Sequence, residues 1–306
     1  HTVAFVALKP GLVLEPGRRA AGTIEVVDIG LDPGSVDVHA LEDGDVAGRL
    51  RPRPVDDHKW RSAVRVVGGA PGMTGAAAVA ARAAQRCGAG LVQLALPGGR
   101  GGEGPTEAVE ILLPRENWGV AAFADLDPRV RAVLLGPGLA EVEAAALAAA
   151  AGTARPLVVD GGALGPDTMA HVAARSEPTI LTPHDGEWVR LGGSPDPDRI
   201  DATQRFARQH GVTVVRKGPT TIVAGPDGRA EVVTAGGSML ATAGTGDVLA
   251  GCAVALLARG LDGPTAGAVA AHVHGRAGRR CGSGLVASEL ADEVGSVMAY
   301  FEEEKA

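Results

Sequence analysis

The stretch Ala132-Val133-Leu134-Leu135-Gly136-Pro137-Gly138 places four apolar residues in a row directly before a loop of small residues. A short strand without polar alternation is buried on both faces, which is typical of a parallel sheet covered by helices on each side. Similar runs recur and alternate with helical patterns. The predicted strands are 64–68, 91–96, 132–135, 157–159, 179–181, 212–215, 221–224 and 231–234, and the predicted helices are 75–87, 141–151, 167–175, 199–210, 247–259, 265–280 and 288–301. This alternation predicts a doubly wound α/β fold.

The chain divides into three predicted parts. Residues 1–32 read as extended pieces and turns, residues 33–62 are polar and rich in proline, and the strand–helix alternation begins near Val64. We therefore expect a linker or arm over 33–62 and one α/β domain over 63–306. Ligands of such sheets bind beyond the carboxyl ends of the strands, so the loops that follow strands form the candidate site.

Composition excludes several classes of protein. The 306 residues include 29 basic and 36 acidic side chains, for a net charge of −7, which argues against nucleic-acid binding. Three scattered cysteines form neither a disulfide framework nor a CxxC metal motif, and they suit a reducing compartment. No apolar window is long enough to span a membrane, and no charged leader precedes the first strand. We expect a cytoplasmic protein that binds neither nucleic acid nor membrane.

The strongest chemical signal is the loop Ala243-Gly244-Thr245-Gly246-Asp247, which opens a predicted helix. Its glycines allow close approach of the backbone to a ligand, and a helix N-terminus offers unpaired N–H groups to an anion. Asp247 would place a carboxylate beside that anion, as a base needs when it takes a proton from a hydroxyl that attacks a phosphoryl group. Alternatively, Asp247 only caps the helix, and the loop alone favours neither interpretation.

Two further loops carry charged side chains. Lys217-Gly218-Pro219-Thr220-Thr221 holds one of only four lysines and offers a positive charge to a phosphate, although an ordinary hairpin would look the same. Thr182-Pro183-His184-Asp185-Gly186-Glu187 offers His184 as a ligand contact. Glu187 in that loop either holds a metal-bound water or simply begins a helix.

The loops 68–76 and 136–138 consist almost entirely of small residues. They would clear space for a flat ligand, or they are tight strand-to-helix turns. The Walker A, HExxH and GxSxG patterns are absent from the sequence, and no GxGxxG follows a strand with a suitable acidic residue downstream. The P-loop and Rossmann dehydrogenase interpretations therefore lose most of their weight.

In their order along the chain, these segments resemble the ADP-dependent NAD(P)H-hydrate dehydratase family of the ribokinase-like superfamily. The stretches that carry the resemblance are 66–69, 75–77, 86–92, 136–139, 181–187, 217–221, 240–251, 274–275 and 287–290. It covers about residues 40–300 and implies a three-layer α/β/α fold with a mostly parallel central sheet. It also implies a hydro-lyase reaction on the S-form of hydrated NADH or NADPH. ADP would phosphorylate the ring hydroxyl, and elimination of phosphate would leave NAD(P)H and AMP.

The resemblance implies roles for individual residues. Asp247 would activate the ring hydroxyl as the base and contact the hydrate, and Glu187 would organise Mg²⁺ through water. The other implied contacts are Gly244, Thr245 and Gly246 in the anion hole, Lys217, Gly218, Pro219, Thr220, Thr221 and Gly246 on the ADP nucleotide, and Ala76, Gly138 and His184 on the hydrate. The sequence departs from the family pattern at Gly237, where Asn is common, at Met73, where an aromatic is common, and after Asp160, where no second acidic residue follows.

Residues 1–32 have a resemblance of their own. Thr2-Val3-Ala4-Phe5, Lys9-Pro10-Gly11-Leu12 and Val26-Val27-Asp28-Ile29-Gly30 are similar to the C-terminal end of the NAD(P)H-hydrate epimerase domain. This implies that a fused epimerase domain lies upstream in the full-length protein, and that 1–32 is a remnant without epimerase activity. The alternative is a native N-terminal arm. The family also implies a homo-oligomer.

Two other functions stay open at this point. One is a true ribokinase-like kinase of a vitamin-precursor alcohol of the hydroxymethylpyrimidine or thiazole type, which would use the same anion hole and Asp247. The other is a nucleotide-binding regulator without activity. The loop with His184 favours the dehydratase over the kinase. Asp247 argues against the regulator, because a pure binder gains nothing from a carboxylate beside a phosphate.

Overall fold

A computed structural model describes residues 1–173 and 175–303. The strands in these residues are β1 (Thr2–Phe5), β2 (Ile24–Val27), β3 (Val38–Ala40), β4 (Ala63–Val67), β5 (Leu91–Pro97), β6 (Val109–Leu113), β7 (Ala132–Leu135), β8 (Leu157–Val159), β9 (Thr179–Leu181), β10 (Thr213–Arg216), β11 (Thr221–Ala224) and β12 (Ala230–Val233). The helices are α1 (Pro10–Val13), α2 (Gly17–Ala21), α3 (Asp43–Arg49), α4 (Thr74–Arg86), α5 (Trp118–Ala124), α6 (Ala144–Ala151), α7 (Thr168–Val172), α8 (Asp185–Arg190), α9 (Arg199–His210), α10 (Thr245–Ala258), α11 (Gly263–Cys281) and α12 (Ala287–Glu303).

A ten-stranded sheet organises the fold, in the order β3-β12-β11-β10-β9-β8-β7-β4-β5-β6. Its neighbours run parallel except in the pairs β10–β11 and β11–β12, which form antiparallel hairpins. Every residue of β4, β7, β8 and β9 is buried, including Arg65 and Thr179, as the short and mostly apolar runs in the sequence predict. The predicted mostly parallel α/β sheet is therefore confirmed.

Helices cover both faces of this sheet and complete three layers. Along β7, Ala132 and Leu134 join one hydrophobic cluster with α3, α4, α10, α11 and α12. Val133 and Leu135 of the same strand join a second cluster with α5, α6, α7, α8 and α9. Successive side chains of a strand point to opposite faces, so this alternation shows that both faces of the sheet are buried.

Helix α10 is the most deeply buried helix of the first layer, with apolar or small residues on all its sides. It packs against α4 and against β4, β7 and β8. At Gly251 the helices approach so closely that an added Cβ would overlap the carbonyl oxygen of Ala80. This close packing fixes the direction of α10 and therefore the place of its N-terminus.

The stretch 33–62, predicted as a linker or arm, contains regular structure in its middle. Strand β3 pairs with β12 at the edge of the sheet, and Val46 and Leu50 are buried in the first cluster. Asp43 of α3 also bonds to the Nε2 atom of His272 on α11 at 2.7 Å. Two apolar residues four apart, one on a short helix and one directly after it, supply this burial, a pattern that the polar composition around them conceals. The boundaries of the three predicted parts stay a prediction.

The N-terminal residues form a small unit of their own. Strands β1 and β2 pair in parallel, and the connection between them contains α1 and α2, which the extended pattern did not predict. The bounds of α4, α6, α7 and α9 to α12 agree with the predicted helices to within a few residues, whereas α3 and α5 were not predicted. Residue 174 of the predicted helix 167–175 and residues 304–306 of the predicted domain lie outside the described residues. Among the described residues, no helix is both long and apolar enough to cross a bilayer.

We expect Gly251→Ala to lower the free energy of unfolding by about 1–3 kcal/mol, because the new methyl group would push α10 away from α4. Gly75→Ala is the matched control, since an added Cβ at this position in α4 has nothing within 4 Å. The measurement is the urea midpoint followed by circular dichroism. A Gly251 variant as stable as the control variant would contradict the tight helix contact.

Candidate active site

The N-terminus of α10 lies where the glycine loop predicted it. Gly244 precedes the helix with φ +88°, and an added Cβ there would lie 2.8 Å from the Cβ of Ala287, so only glycine fits without strain. The Thr245 hydroxyl donates to the carbonyl oxygens of Leu240 at 2.7 Å and Thr242 at 2.9 Å, which fixes the turn. The first N–H groups of a helix lack partners within it, so this turn offers donors to an anion.

Lys217 brings a positive charge to this turn from the end of β10. Its Nζ donates to Asp160 Oδ1 at 3.0 Å and lies 3.6 Å from Glu187 Oε2. An added Cβ on Gly246 would lie 3.3 Å from the same Nζ, so the ammonium packs against the first turn of α10. Burial lowers the pKa of Lys217, but the charges of Asp160 and Glu187 outweigh burial and hold that pKa above its ordinary value. Lys217 is therefore a cation.

Asp160, which carries no assigned role in the sequence analysis, anchors this arrangement. It follows β8 directly and is 2% exposed. Its Oδ1 atom accepts hydrogen bonds from the Thr182 hydroxyl at 2.6 Å and from Lys217. An acidic residue directly after a wholly apolar strand was the signal that could have revealed it, since ligand sites form at that end of strands.

His184 and Glu187 form a reciprocal cap at the start of α8. The N–H of Glu187 donates to His184 Nδ1 at 3.1 Å, and the N–H of His184 donates to Glu187 Oε2 at 2.8 Å. Glu187 is 5% exposed, and the same oxygen lies near Lys217. The helix-start interpretation of Glu187 is therefore true of the structure, and it leaves the carboxylate beside the ammonium.

Asp247 stands in the first turn of α10 as a carboxylate that resists ionisation. Burial raises its pKa, the charges of Asp160 and Glu187 raise it further, and Lys217 opposes them, so that the pKa reaches about 7. A carboxyl group with this pKa is half ionised near neutral pH, which is where a general base works best.

His274 contacts the same turn from the neighbouring helix α11. This buried residue of α11 places Nε2 at 2.8 Å from the carbonyl oxygen of Thr245. Burial lowers its pKa to about 4, and the charge of Lys217 adds to this. A neutral imidazole with Nε2 beside a carbonyl donates its proton there, so His274 holds the start of α10 without adding a charge. The sequence motif contained His274, but its role depends on this packing.

A cavity of about 960 Å³ opens beside these groups. The residues predicted for the site that line it are His184, Lys217, Gly218, Pro219, Thr221, Thr245 and Gly246. The predicted site residues outside this lining are Ala76, Gly138, Glu187, Thr220, Gly244 and Asp247. Gly244 and Asp247 belong to the same turn as lining residues. Gly237, which stands where Asn is common in the family, also lines the cavity.

Three predicted residues are placed differently. Ala76 and Gly138 meet each other, since an added Cβ on Gly138 would lie 3.0 Å from the Cβ of Ala76. The side chain of Thr220 is 1% exposed and donates to the carbonyl oxygen of Val13 at 2.6 Å. Its hydroxyl is thus engaged by the N-terminal unit and is not directed at a ligand.

The fold is that of a ribokinase-like α/β protein, and its site places a carboxyl group with a raised pKa and a buried ammonium at the N-terminus of one helix. A ribokinase-like superfamily protein of Enterococcus faecalis has the same fold, with a TM-score of 0.72 at 21% identity over 89% of this chain and 99% of that one. The family model for NAD(P)H-hydrate dehydratase matches residues 64–298. The chain belongs to the NAD(P)H-hydrate dehydratase family.

Individual relatives agree with this assignment. The bifunctional NAD(P)H-hydrate repair enzyme of Moorella thermoacetica is 35% identical over 99% of this chain, which spans 63% of that protein. The ADP-dependent (S)-NAD(P)H-hydrate dehydratase of Xanthomonas campestris is 34% identical over 81% of this chain and 91% of that protein. The ADP/ATP-dependent NAD(P)H-hydrate dehydratase of Bacillus subtilis, co-crystallised with ATP and Mg²⁺, superposes with a TM-score of 0.77 at 28% identity, covering 88% of this chain and all of that one.

The raised pKa of Asp247 predicts a pH-dependent cost in stability. Between its ordinary pKa of 3.8 and about 7, the folded state binds more protons than the unfolded state, so this residue's contribution to stability falls as pH rises. Asp247→Asn removes the cost. We expect the variant to melt at least about 2 °C above the wild type at pH 8.5, and the difference to shrink towards pH 5.

Asp292→Asn is the control of opposite sign, because its hydrogen bond with Arg82 lowers the pKa of Asp292. Its carboxylate stabilises the fold above its ordinary pKa, so the Asn variant should melt below the wild type at pH 8.5. Melting curves at four or more pH values decide the matter. If the melting temperature of Asp247→Asn fell relative to that of the wild type as pH rises, this result would refute the placement of that carboxylate.

Proposed function

We propose that this chain is an ADP-dependent dehydratase of the S-form of hydrated NADH and NADPH. The observation that carries the proposal is the Asp247 carboxyl group, with a pKa of about 7, in the first turn of the helix that binds the anion. The names of the relatives from X. campestris and B. subtilis point to the same reaction. The chain spans less than two thirds of the bifunctional relative from M. thermoacetica, so the proposal concerns the dehydratase part alone.

In the proposed reaction, the terminal phosphoryl group of ADP lies at the N-terminus of α10. The N–H groups of Gly244, Thr245 and Gly246 and the ammonium of Lys217 stabilise the charge on its oxygens. Asp247 takes the proton of the ring hydroxyl while the hydroxyl oxygen bonds to phosphorus and the bond to AMP breaks. Phosphate then leaves the ring carbon, and loss of a ring proton restores the double bond of NAD(P)H.

The lining of the cavity supports a nucleotide site at the loop after β10. Lys217, Gly218, Pro219 and Thr221 line it next to Gly246, and together they form the proposed nucleotide pocket. Thr220 completes this loop through its backbone, since its side chain bonds to Val13. We propose that His184, with Ala76 and Gly138, contacts the hydrate.

The site also fits Mg²⁺. This ion binds through one or two carboxylates together with waters and substrate phosphates. Asp160 and Glu187 supply two buried carboxylates on either side of Lys217, beside the proposed phosphate position. We propose Glu187 as the residue that holds the ion through water. When bound, the ion would neutralise charge on the phosphoryl oxygens.

The N-terminal unit supports a fused domain upstream. A parallel pair of strands is ordinarily buried within a larger sheet, yet Val3, Phe5 and Val26 of β1 and β2 are each about half exposed, at 46%, 56% and 49%. We propose that these strands belong to the sheet of an epimerase domain that precedes them. The free cysteines Cys87, Cys252 and Cys281 agree with a reducing, cytoplasmic location. The homo-oligomer stays a prediction.

The first test is recovery of near-ultraviolet absorbance when the protein meets the S-form of hydrated NADPH with Mg²⁺ and either ADP or ATP. Asp247→Asn should lose about 10²–10⁴-fold in kcat, because it lacks a base, while it still binds ADP. Asp292→Asn should keep wild-type turnover, because it changes only a partly exposed ion pair between Asp292 on α12 and Arg82 on α4. Recovery with ATP but not with ADP would refute ADP as the phosphoryl donor. A wild type that binds ADP without turnover would favour the vitamin-precursor kinase, and normal turnover in the Asp247 variant would refute its role.

The pKa of Asp247 also predicts the pH profile. Only the ionised carboxylate accepts a proton, so kcat/KM should rise about tenfold per pH unit below 7 and level off above it. Initial rates from pH 5.5 to 9, with the hydrate freshly prepared at each pH, give the profile. A profile flat across pH 7 would show that another group limits the reaction.

A further inference from the structure

One wall of the proposed nucleotide cavity comes from outside the ten-stranded sheet. Arg18 and Arg19 of α2, together with Glu15 just before it, line the cavity along with the loop 217–221. Helix α2 lies in the connection between β1 and β2, so it belongs to the N-terminal unit by its chain position. The cavity is therefore built from two parts of the chain that are about 200 residues apart in sequence.

Arg18 bonds directly to the nucleotide loop. Its Nη1 atom donates to the carbonyl oxygen of Pro219 at 2.9 Å and to the Thr220 hydroxyl at 3.1 Å. Its Nη2 atom donates to the carbonyl oxygen of Thr234 at 2.9 Å, just beyond β12. Arg279, which also lines the cavity, donates to the same Thr234 oxygen at 3.4 Å. The guanidinium of Arg18 thus joins α2 both to the loop after β10 and to the residue that follows β12.

The loop depends on such contacts because the ladder between β10 and β11 does not reach it. That ladder ends at the pair Arg216 and Ile222, so the turn between them lies beyond it. Arg199 holds the turn on one side, donating to the carbonyl oxygen of Lys217 at 3.0 Å. On the other side, Arg18 holds the carbonyl of residue 219, and the hydroxyl of residue 220 adds a second contact to the N-terminal unit.

We infer that Arg18 is a positioning residue for the nucleotide: it fixes the loop 217–221 in its binding shape and couples nucleotide affinity to the N-terminal unit. This rests on the proposed use of that loop for ADP. Coupling between two sites is reciprocal, so ADP in the cavity must in turn tighten the docking of α2. The N-terminal unit thereby has a role in the dehydratase part that its own strands do not suggest.

The test compares Arg18→Ala and Arg18→Lys with Lys9→Ala. Lys9 is a cation of the same unit that bonds to the carbonyl oxygens of Phe5 and Ala7, so its loss leaves the loop untouched. We expect Arg18→Ala to raise the Kd of ADP by calorimetry and the KM of ADP by about tenfold, with kcat and the KM of the hydrate unchanged. Arg18→Lys should recover part of the affinity, because an ammonium replaces some of the guanidinium contacts. Lys9→Ala should match the wild type.

A change in ADP affinity of less than twofold in Arg18→Ala, or an equal change in Lys9→Ala, would overturn the inference. Direct binding keeps this test separate from that of the proposed reaction, since a wild type that binds ADP without turnover refutes the reaction and leaves the comparison of Kd values intact. Should the Arg18 variants fold poorly, hydrogen exchange in the wild type decides. Amides of α2 should exchange more slowly with ADP, and unchanged exchange would refute the coupling.

Discussion

The ammonium group of Lys217 is the interaction on which the carboxyl edge of the sheet depends. It reaches from the end of β10 to Asp160 after β8, to Glu187 on α8 and to the first turn of α10. Asp160 and Glu187 are both almost fully buried, and removing the cation between them would leave uncompensated charges, which is far more costly than losing a surface ion pair. Loops from four elements thus share one electrostatic centre.

The charge balance of this centre sets the chemistry of the site. Burial, and then the two carboxylates around Lys217, raise the pKa of Asp247 to about 7. A carboxyl group with this pKa is matched to proton transfer at neutral pH, whereas the same side chain at an ordinary helix start would be too weak a base. His274 supports the turn as a neutral donor, and it therefore leaves this balance unchanged.

The sequence predicted the parts of the fold that local patterns determine. The buried central strands and the longer helices were found because their apolar runs and periodicity are unambiguous, and the glycine loop located the N-terminus of α10. Strands β3 and β6 were missed, since edge strands are partly exposed and their patterns are mixed. The helices α1 and α2 were missed because they are only four and five residues long.

The site residues follow the same division. The sequence singled out Asp247 and Lys217 because each stands in a loop with a chemical signature, and the structure brings the two residues together. Asp160 and Arg18 bond to residues far along the chain, and no local sequence pattern predicts such pairs. Thr220 is the opposite case. The sequence singled out its loop, but the hydroxyl of Thr220 donates to the carbonyl oxygen of Val13.

Helix α2 lies outside the ten-stranded sheet but forms part of the wall of the cavity. A chain cut between residues 32 and 33 would keep every strand of the ten-stranded sheet, yet it would lose Val13 and Arg18, which hold the loop beside the cavity. The residues that build the ten-stranded sheet and those that build the cavity therefore begin at different points of the chain. A recombination event that moved the ten-stranded sheet into another protein would have to include α2, or the new protein would have to supply another wall for the cavity.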